Sequence, residues 1–148
     1  MIDYSELVKA RRIKTGSFST DQVQGCLDLA RRDLGTAGKM LDENSDWCFS
    51  IAYNAMLQAV RALMFSRGYR ATGEGQHATA VEFARLALGE ELESAVELMD
   101  TMRRKRHRVV YDVAGLVSSK EAREAIQTAE SFVNAVTRML SLESEETS

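Results

Sequence analysis

Not one of the 148 residues is proline, where an average chain carries roughly 5%. Proline lacks an N–H and clashes with the preceding helical turn, so without it helices run unbroken, and glycine and capping side chains must set their ends. The apolar pattern agrees. Ser19-Thr20-Asp21-Gln22 offers a capping box, after which Val23, Cys26, Ala30, Leu34, Ala37 and Leu41 recur at steps of three and four. From Asp46 to Arg67 the chain is apolar on most sides, through Trp47, Phe49, Tyr53, Met56, Val60 and Leu63. A helix with so little polar face belongs at the centre of a bundle. Three glycines between Gly68 and His77 mark an internal loop. A shorter helix over Ala78 to Leu88 follows, then one from Glu90 with Leu92, Ala95, Val96, Met99 and Met102 on one side. Val109 to Val117 reads as a connection broken at Gly115. Ser118-Ser119-Lys120-Glu121 is a second capping box, opening a long amphipathic helix through Leu140.

These segments predict an all-α fold, an antiparallel up-and-down bundle of four to five helices over residues 19–141. Residues 1–18 form a helical arm, packed on the body or on a neighbouring subunit, and residues 142–148 an acidic tail expected to be disordered. No alternation of period two is long enough to mark a strand. The longest uncharged run, Trp47 to Val60, has 14 residues, short of the ~20 a membrane helix needs, and charges arrive too early for a signal segment. Cys26 and Cys48 lack metal-ligand spacing and read as reduced, buried thiols, so a cytoplasmic protein without metal or cofactor is expected.

The chemistry concentrates at Arg103-Arg104-Lys105-Arg106-His107-Arg108. Five of the chain's 19 Lys and Arg residues fall in six positions there, in a protein whose formal net charge is −3. Without them the charge would be −8. A solvated cationic helix C-terminus, favoured by the macrodipole, is one reading. Five mutually repelling cations exceed what the dipole needs, however, and Val109-Val110-Tyr111 should draw the segment onto the body. A phosphate-binding role for Arg103, Arg104, Lys105 and Arg108 is therefore expected, with Arg103 and Arg106 near the apolar face and Arg104 and Arg108 away from it. With RNA as ligand, arginine forks would hold phosphate, and a neutral His107 could take a proton from a 2′-hydroxyl. His77 is read as capping, binding or incidental, and Trp47, Phe49 and Tyr53 as core. No Walker loop, G-x-G-x-x-G, H-E-x-x-H or Cys-x-x-Cys occurs.

The order of these features resembles the HEPN-domain family from about Ser19 to Leu140. The likeness is carried by Ile51-Ala52-Tyr53-Asn54-Ala55-Met56, Arg61-Ala62-Leu63, Gly68 and His77. It is closest at Arg106-His107-Arg108-Val109-Val110-Tyr111-Asp112 followed by Ala122 to Leu140. The resemblance implies an all-α bundle forming a two-fold homodimer, with the arginine motifs of both subunits lining one cleft. Many members are metal-independent endoribonucleases, often toxins neutralised by a nucleotidyltransferase-like antitoxin partner; others bind RNA or nucleotides without cutting. By position, Arg106 matches the family arginine, His107 the residue beside it, and Tyr111 the place of the catalytic histidine.

Tyrosine, with a reference pKa of ~10, is a poor base at neutral pH. No arginine precedes His107 with four to six residues between the two; Arg70 and His77 have that spacing, but between the second and third bundle helices. A catalytic trio of Arg106, His107 and Tyr111 would thus be degenerate. The leading expectation is a dimeric module binding RNA or nucleotide phosphates. A toxin endoribonuclease and a subunit docking an acidic protein are the alternatives.

Overall fold

The computed structural model describes residues 2–147. A short helix α1 (Ser5–Lys9) and strand β1 (Ile13–Thr15) lead into α2 (Thr20–Met40) and α3 (Ser45–Ser66). Strand β2 (Tyr69–Ala71), α4 (Gln76–Ala87), α5 (Glu93–Tyr111) and α6 (Ser119–Thr147) follow, with a 3₁₀ turn at Glu90–Leu92 before α5. The architecture is the all-α bundle that the periodicity predicts.

Both capping boxes form. Ser19 Oγ accepts from the Gln22 amide at 3.1 Å while Gln22 Oε1 accepts from the Ser19 amide at 2.8 Å, and Ser118 Oγ accepts from the Glu121 amide at 3.1 Å. Each satisfies amides that the first helical turn leaves unpaired. α3 is the central helix, packed against α2, α4, α5, α6 and β2. Ala52, Tyr53, Ala55, Met56, Ala59, Val60 and Leu63 on it are wholly buried. Its length and apolarity would suit a membrane crossing, but 67% of its most apolar stretch is covered inside the bundle, so its neighbours already take up that surface.

The N-terminal arm packs on its own body. Tyr4 stacks on Phe83 of α4 with ring centroids 4.4 Å apart, and Arg12 donates to Glu82 at 2.7 Å and to Thr79 at 3.1 Å. β1 pairs antiparallel with β2, setting Ile13 opposite Ala71, Lys14 opposite Arg70 and Thr15 opposite Tyr69. This ribbon corrects the expectation of no strand: its strands have three residues each, too few for an alternation to show. Gly68 turns the chain from α3 into β2 at φ 81°. A Cβ there would also lie 3.3 Å from the Gly16 carbonyl oxygen, so both the backbone conformation and the close approach call for glycine.

Three boundaries differ from expectation. His77 lies in the first turn of α4, not in the loop before it. α5 runs on through Val109 and Val110 to Tyr111, since a helix already anchored by Val96, Met99 and Met102 tolerates two β-branched residues at its end. The stretch expected to be a disordered tail continues α6 to Thr147, and Glu143 accepts from Arg67 Nη2 at 2.8 Å, which ties that turn to the end of α3. Ser148 lies outside the described residues.

Candidate functional site

α5 is positioned by Val96, Met99 and Met102, all at most 1% exposed. Continuing that stripe at helical spacing brings Arg103 and Arg106 to the edge of the core, half-buried, while Arg104 and Arg108 stand exposed. That split is the one the sequence predicts. What the sequence does not show is how unequally the five cations are matched. Asp100, 8% exposed, accepts from Arg103 Nε at 3.0 Å, and Arg104 Nη2 and Arg85 Nη2 lie 3.2 and 3.3 Å from it. Burial alone would raise the Asp100 carboxyl, but the Arg103 hydrogen bond and the charges of Arg103, Arg104 and Arg85 outweigh it and hold the carboxyl below its ordinary range.

Lys105 leaves the cluster. It pairs with Glu121 at the start of α6 and lies 6.0 Å from the Phe49 ring centroid. The Lys105 hydrogen bond in turn holds the Glu121 carboxyl low. Arg106 and Arg108 have no carboxylate within ion-pair distance among the described residues. The Arg106 guanidinium sits over the face of Tyr53, 5.6 Å from its centroid, a separation at which the ring quadrupole attracts a cation. Its Nε is buried without an acceptor.

Beneath Arg106, Tyr53 and His77 share a hydrogen bond of 3.1 Å between Oη and Nδ1. Tyr53 is fully buried, and burial pushes its phenol up to about 12, against the opposing pull of Arg106 and Arg103. The hydroxyl keeps its proton at neutral pH and, having no other hydrogen-bond partner among the described residues, is assigned as the donor to Nδ1. Burial, followed by the charges of Arg106 and Arg103, holds the His77 imidazole below its ordinary value. His77 is then neutral, with its own N–H on Nε2.

These groups converge on a cleft of about 510 Å³ lined by His77, Arg103, Arg104, Arg106, His107 and Tyr111. Both of the chain's histidines line it. The His107 and Tyr111 rings, one helical turn apart, lie 5.0 Å from each other at its rim, with Tyr111 69% exposed. Of the expected residues the cleft gathers Arg103, Arg104, Arg106, His107 and Tyr111. Lys105 and Arg108 do not line it, Lys105 because Glu121 draws it toward α6. Tyr53, read as core, is the participant that residue chemistry passed over, while His77 was left open between capping, binding and an incidental place.

Chemically the cleft offers two arginines sharing one carboxylate, a third with none, a neutral imidazole N–H and an exposed imidazole. That set suits an anion with several oxygens. A separate depression of about 350 Å³ beside Trp47, Val109 and Val113 includes Asp46 and Asp112, and two carboxylates suit phosphate poorly. No group of three or more His, Cys, Asp or Glu side chains poised to hold a metal ion occurs among the described residues.

A bundle with a central apolar helix, a long final helix and an arginine-histidine segment closing the helix before it defines a class of small all-α domains. The match of residues 23–140 to the HEPN domain model makes the class specific: the chain belongs to the HEPN family. Two solved structures share the fold. TT1696 from Thermus thermophilus superposes with a TM-score of 0.63 at 20% identity, over 79% of this chain and 97% of that one. ST0689, described as an archaeal HEPN homologue, gives 0.62 at 18% identity, over 80% and 98%. A search of functionally curated proteins finds no match.

Proposed function

We propose that this HEPN chain binds RNA or nucleotide phosphates through the α5 cleft, as a homodimer, with little or no cleavage of its own. The observation that carries this reading is Arg106: a half-buried guanidinium without a carboxylate partner, its Nε lacking an acceptor, beside Arg103 and Arg104. With no carboxylate in the fold to hold them, the terminal guanidinium nitrogens of Arg106 are left for the oxygens of a ligand in the cleft. The weak case for cleavage rests on the bases at hand. A phenol stands at the family's histidine position, and His77 has given its acceptor nitrogen to Tyr53. Two buried free cysteines fit action in a reducing cytoplasm.

A second reading has one observation in its favour: His107 lines the same cleft as Arg106. In that case the chain is a metal-independent endoribonuclease toxin, and a nucleotidyltransferase-like antitoxin is the partner to look for. Labelled RNA incubated in EDTA with the wild type, Arg106→Ala and His107→Ala separates the two. Retention of RNA without cleavage, weakened in Arg106→Ala, is the expected result. Cleavage abolished by both substitutions would establish the nuclease instead. No retention even at low salt, where phosphate contacts are strongest, would leave a subunit that docks an acidic protein.

A further inference from the structure

The depression beside Trp47, about 350 Å³ in volume, falls within the range of small-molecule sites, roughly 300–1,000 Å³. Its charge is opposite to that of the α5 cleft: Asp46 and Asp112 line it, and no Lys, Arg or His does. Asp46 is engaged, since its carboxylate holds the Gly115 and Val117 amides at 2.6 and 3.0 Å. Asp112 is exposed, and its carboxylate makes no ion pair or hydrogen bond among the described residues, not even with Arg108 one turn earlier. It is the C-cap residue of α5, where the helix dipole is negative and a carboxylate is unfavourable.

The backbone adds to the imbalance. The Asp112 and Val113 amides both donate to the Arg108 carbonyl, at 2.8 and 2.9 Å. The carbonyls of Val109, Val110 and Tyr111, three residues that line the depression, are thereby left without a protein donor among the described residues. Ser50 is the one buried residue of the lining, 2% exposed, and its hydroxyl has no hydrogen-bond partner. Around these acceptors the wall is apolar and aromatic. Trp47, 52% exposed, and Tyr111 both contribute to it, and an aromatic ring attracts a cation as well as covering hydrocarbon. Two carboxylates are too few charged ligands for a metal ion, and no larger ligating group occurs among the described residues. A cation with a hydrocarbon body matches both the acceptors and the apolar wall.

We propose that this depression is a binding site for a small alkylammonium cation. The Asp112 carboxylate and the free carbonyls ending α5 accept its N–H donors, and the unpartnered Ser50 hydroxyl is a further acceptor. Trp47 and Tyr111 cover its methylene groups. The site is separate from the α5 cleft and does not depend on RNA binding there.

The test uses the fluorescence of Trp47, the chain's only tryptophan, during titration of the full chain with butylamine, 1,4-diaminobutane and butan-1-ol at matched ionic strength. It is repeated on Asp112→Asn and Arg106→Ala. Asp112 is exposed, so its replacement leaves the core intact. Saturable binding of the amines is expected. Asp112→Asn should weaken it about tenfold or more, the loss of one charge-assisted hydrogen bond, while Arg106→Ala leaves it unchanged. Butan-1-ol, of the same length but without charge, should bind far more weakly. Equal binding of the alcohol would reduce the depression to an apolar patch and overturn the proposal. An affinity unmoved by Asp112→Asn, or no saturable binding of either amine, would do the same.

Discussion

Arg11 has φ 57°, the one positive φ at a non-glycine position among the described residues. It sits between α1 and β1, where its carbonyl accepts from Thr72 Oγ1 at 2.8 Å, so the turn is held by the ribbon and not by the preference of arginine. The left-handed conformation costs an L-residue roughly 1–2 kcal/mol, part of which glycine would lose again through its freer unfolded chain. Arg11→Gly is expected to stabilise the protein by up to about 1 kcal/mol, seen as a higher urea midpoint; a lower midpoint would mean that the arginine side chain makes a contribution of its own. His77 gives a signed pH effect. Its folded-state pKa is depressed, so below the ordinary value of ~6.5 the unfolded chain takes up the proton first and stability falls as the pH drops toward the folded value. Tyr53, raised to about 12, acts at the other end: above about pH 10 the unfolded chain loses its phenolic proton first, and stability declines again. Urea midpoints at pH 7.5 and 5.5 should differ in the wild type and converge in His77→Gln; an unchanged difference would assign the acid slope to other groups.

At the scale of elements, Asp46 in the first turn of α3 does two jobs. Its negative charge suits that helix end, and its two carboxylate oxygens accept from the Gly115 amide at 2.6 Å and the Val117 amide at 3.0 Å. The α5–α6 connection is thereby fastened to the central helix. Asp46→Ala should cost about 1–2 kcal/mol and speed hydrogen exchange at Gly115 and Val117 ahead of the rest of the molecule; exchange unchanged at those amides would show the connection to be held by packing alone. The sequence reveals helices through periodicity and through the side chains that start them, so α2 and α6 were legible from Ser19 and Ser118 onward. It is silent on pairings between distant short segments. Neither Ile13–Thr15 nor Tyr69–Ala71 carries a pattern of its own, and each is a strand only because the other lies beside it. The candidate cleft divides the same way. Arg103 and Arg106 could be placed by counting along one helix, whereas Tyr53 under Arg106, Asp100 shared by three arginines and Glu121 drawing off Lys105 all depend on folding or on ion-pair choices that no spacing records.

Taken whole, the chain is acidic, with a net charge of −3, and its phosphate-binding reading rests on a local concentration of arginine. Overall charge therefore opposes the approach of RNA while the cleft attracts it, so binding should respond to salt as a small number of contacts would. Three cleft arginines, two of them sharing Asp100, lead to an expected slope of roughly −1 to −2 for log K against log salt with single-stranded RNA, at ~0.7 per phosphate neutralised. A slope steeper than about −5 in filter-binding measurements would require a surface much larger than this cleft. The confinement of both histidines to that cleft also has a practical side. Every imidazole signal in a nitrogen-edited NMR spectrum of the untagged chain originates at the candidate site, without selective labelling and without background. The two are distinguishable in advance, since His107 is exposed and His77 half-buried. The protein thus carries its own reporter, and an oligohistidine purification tag would drown the signal that makes the site observable.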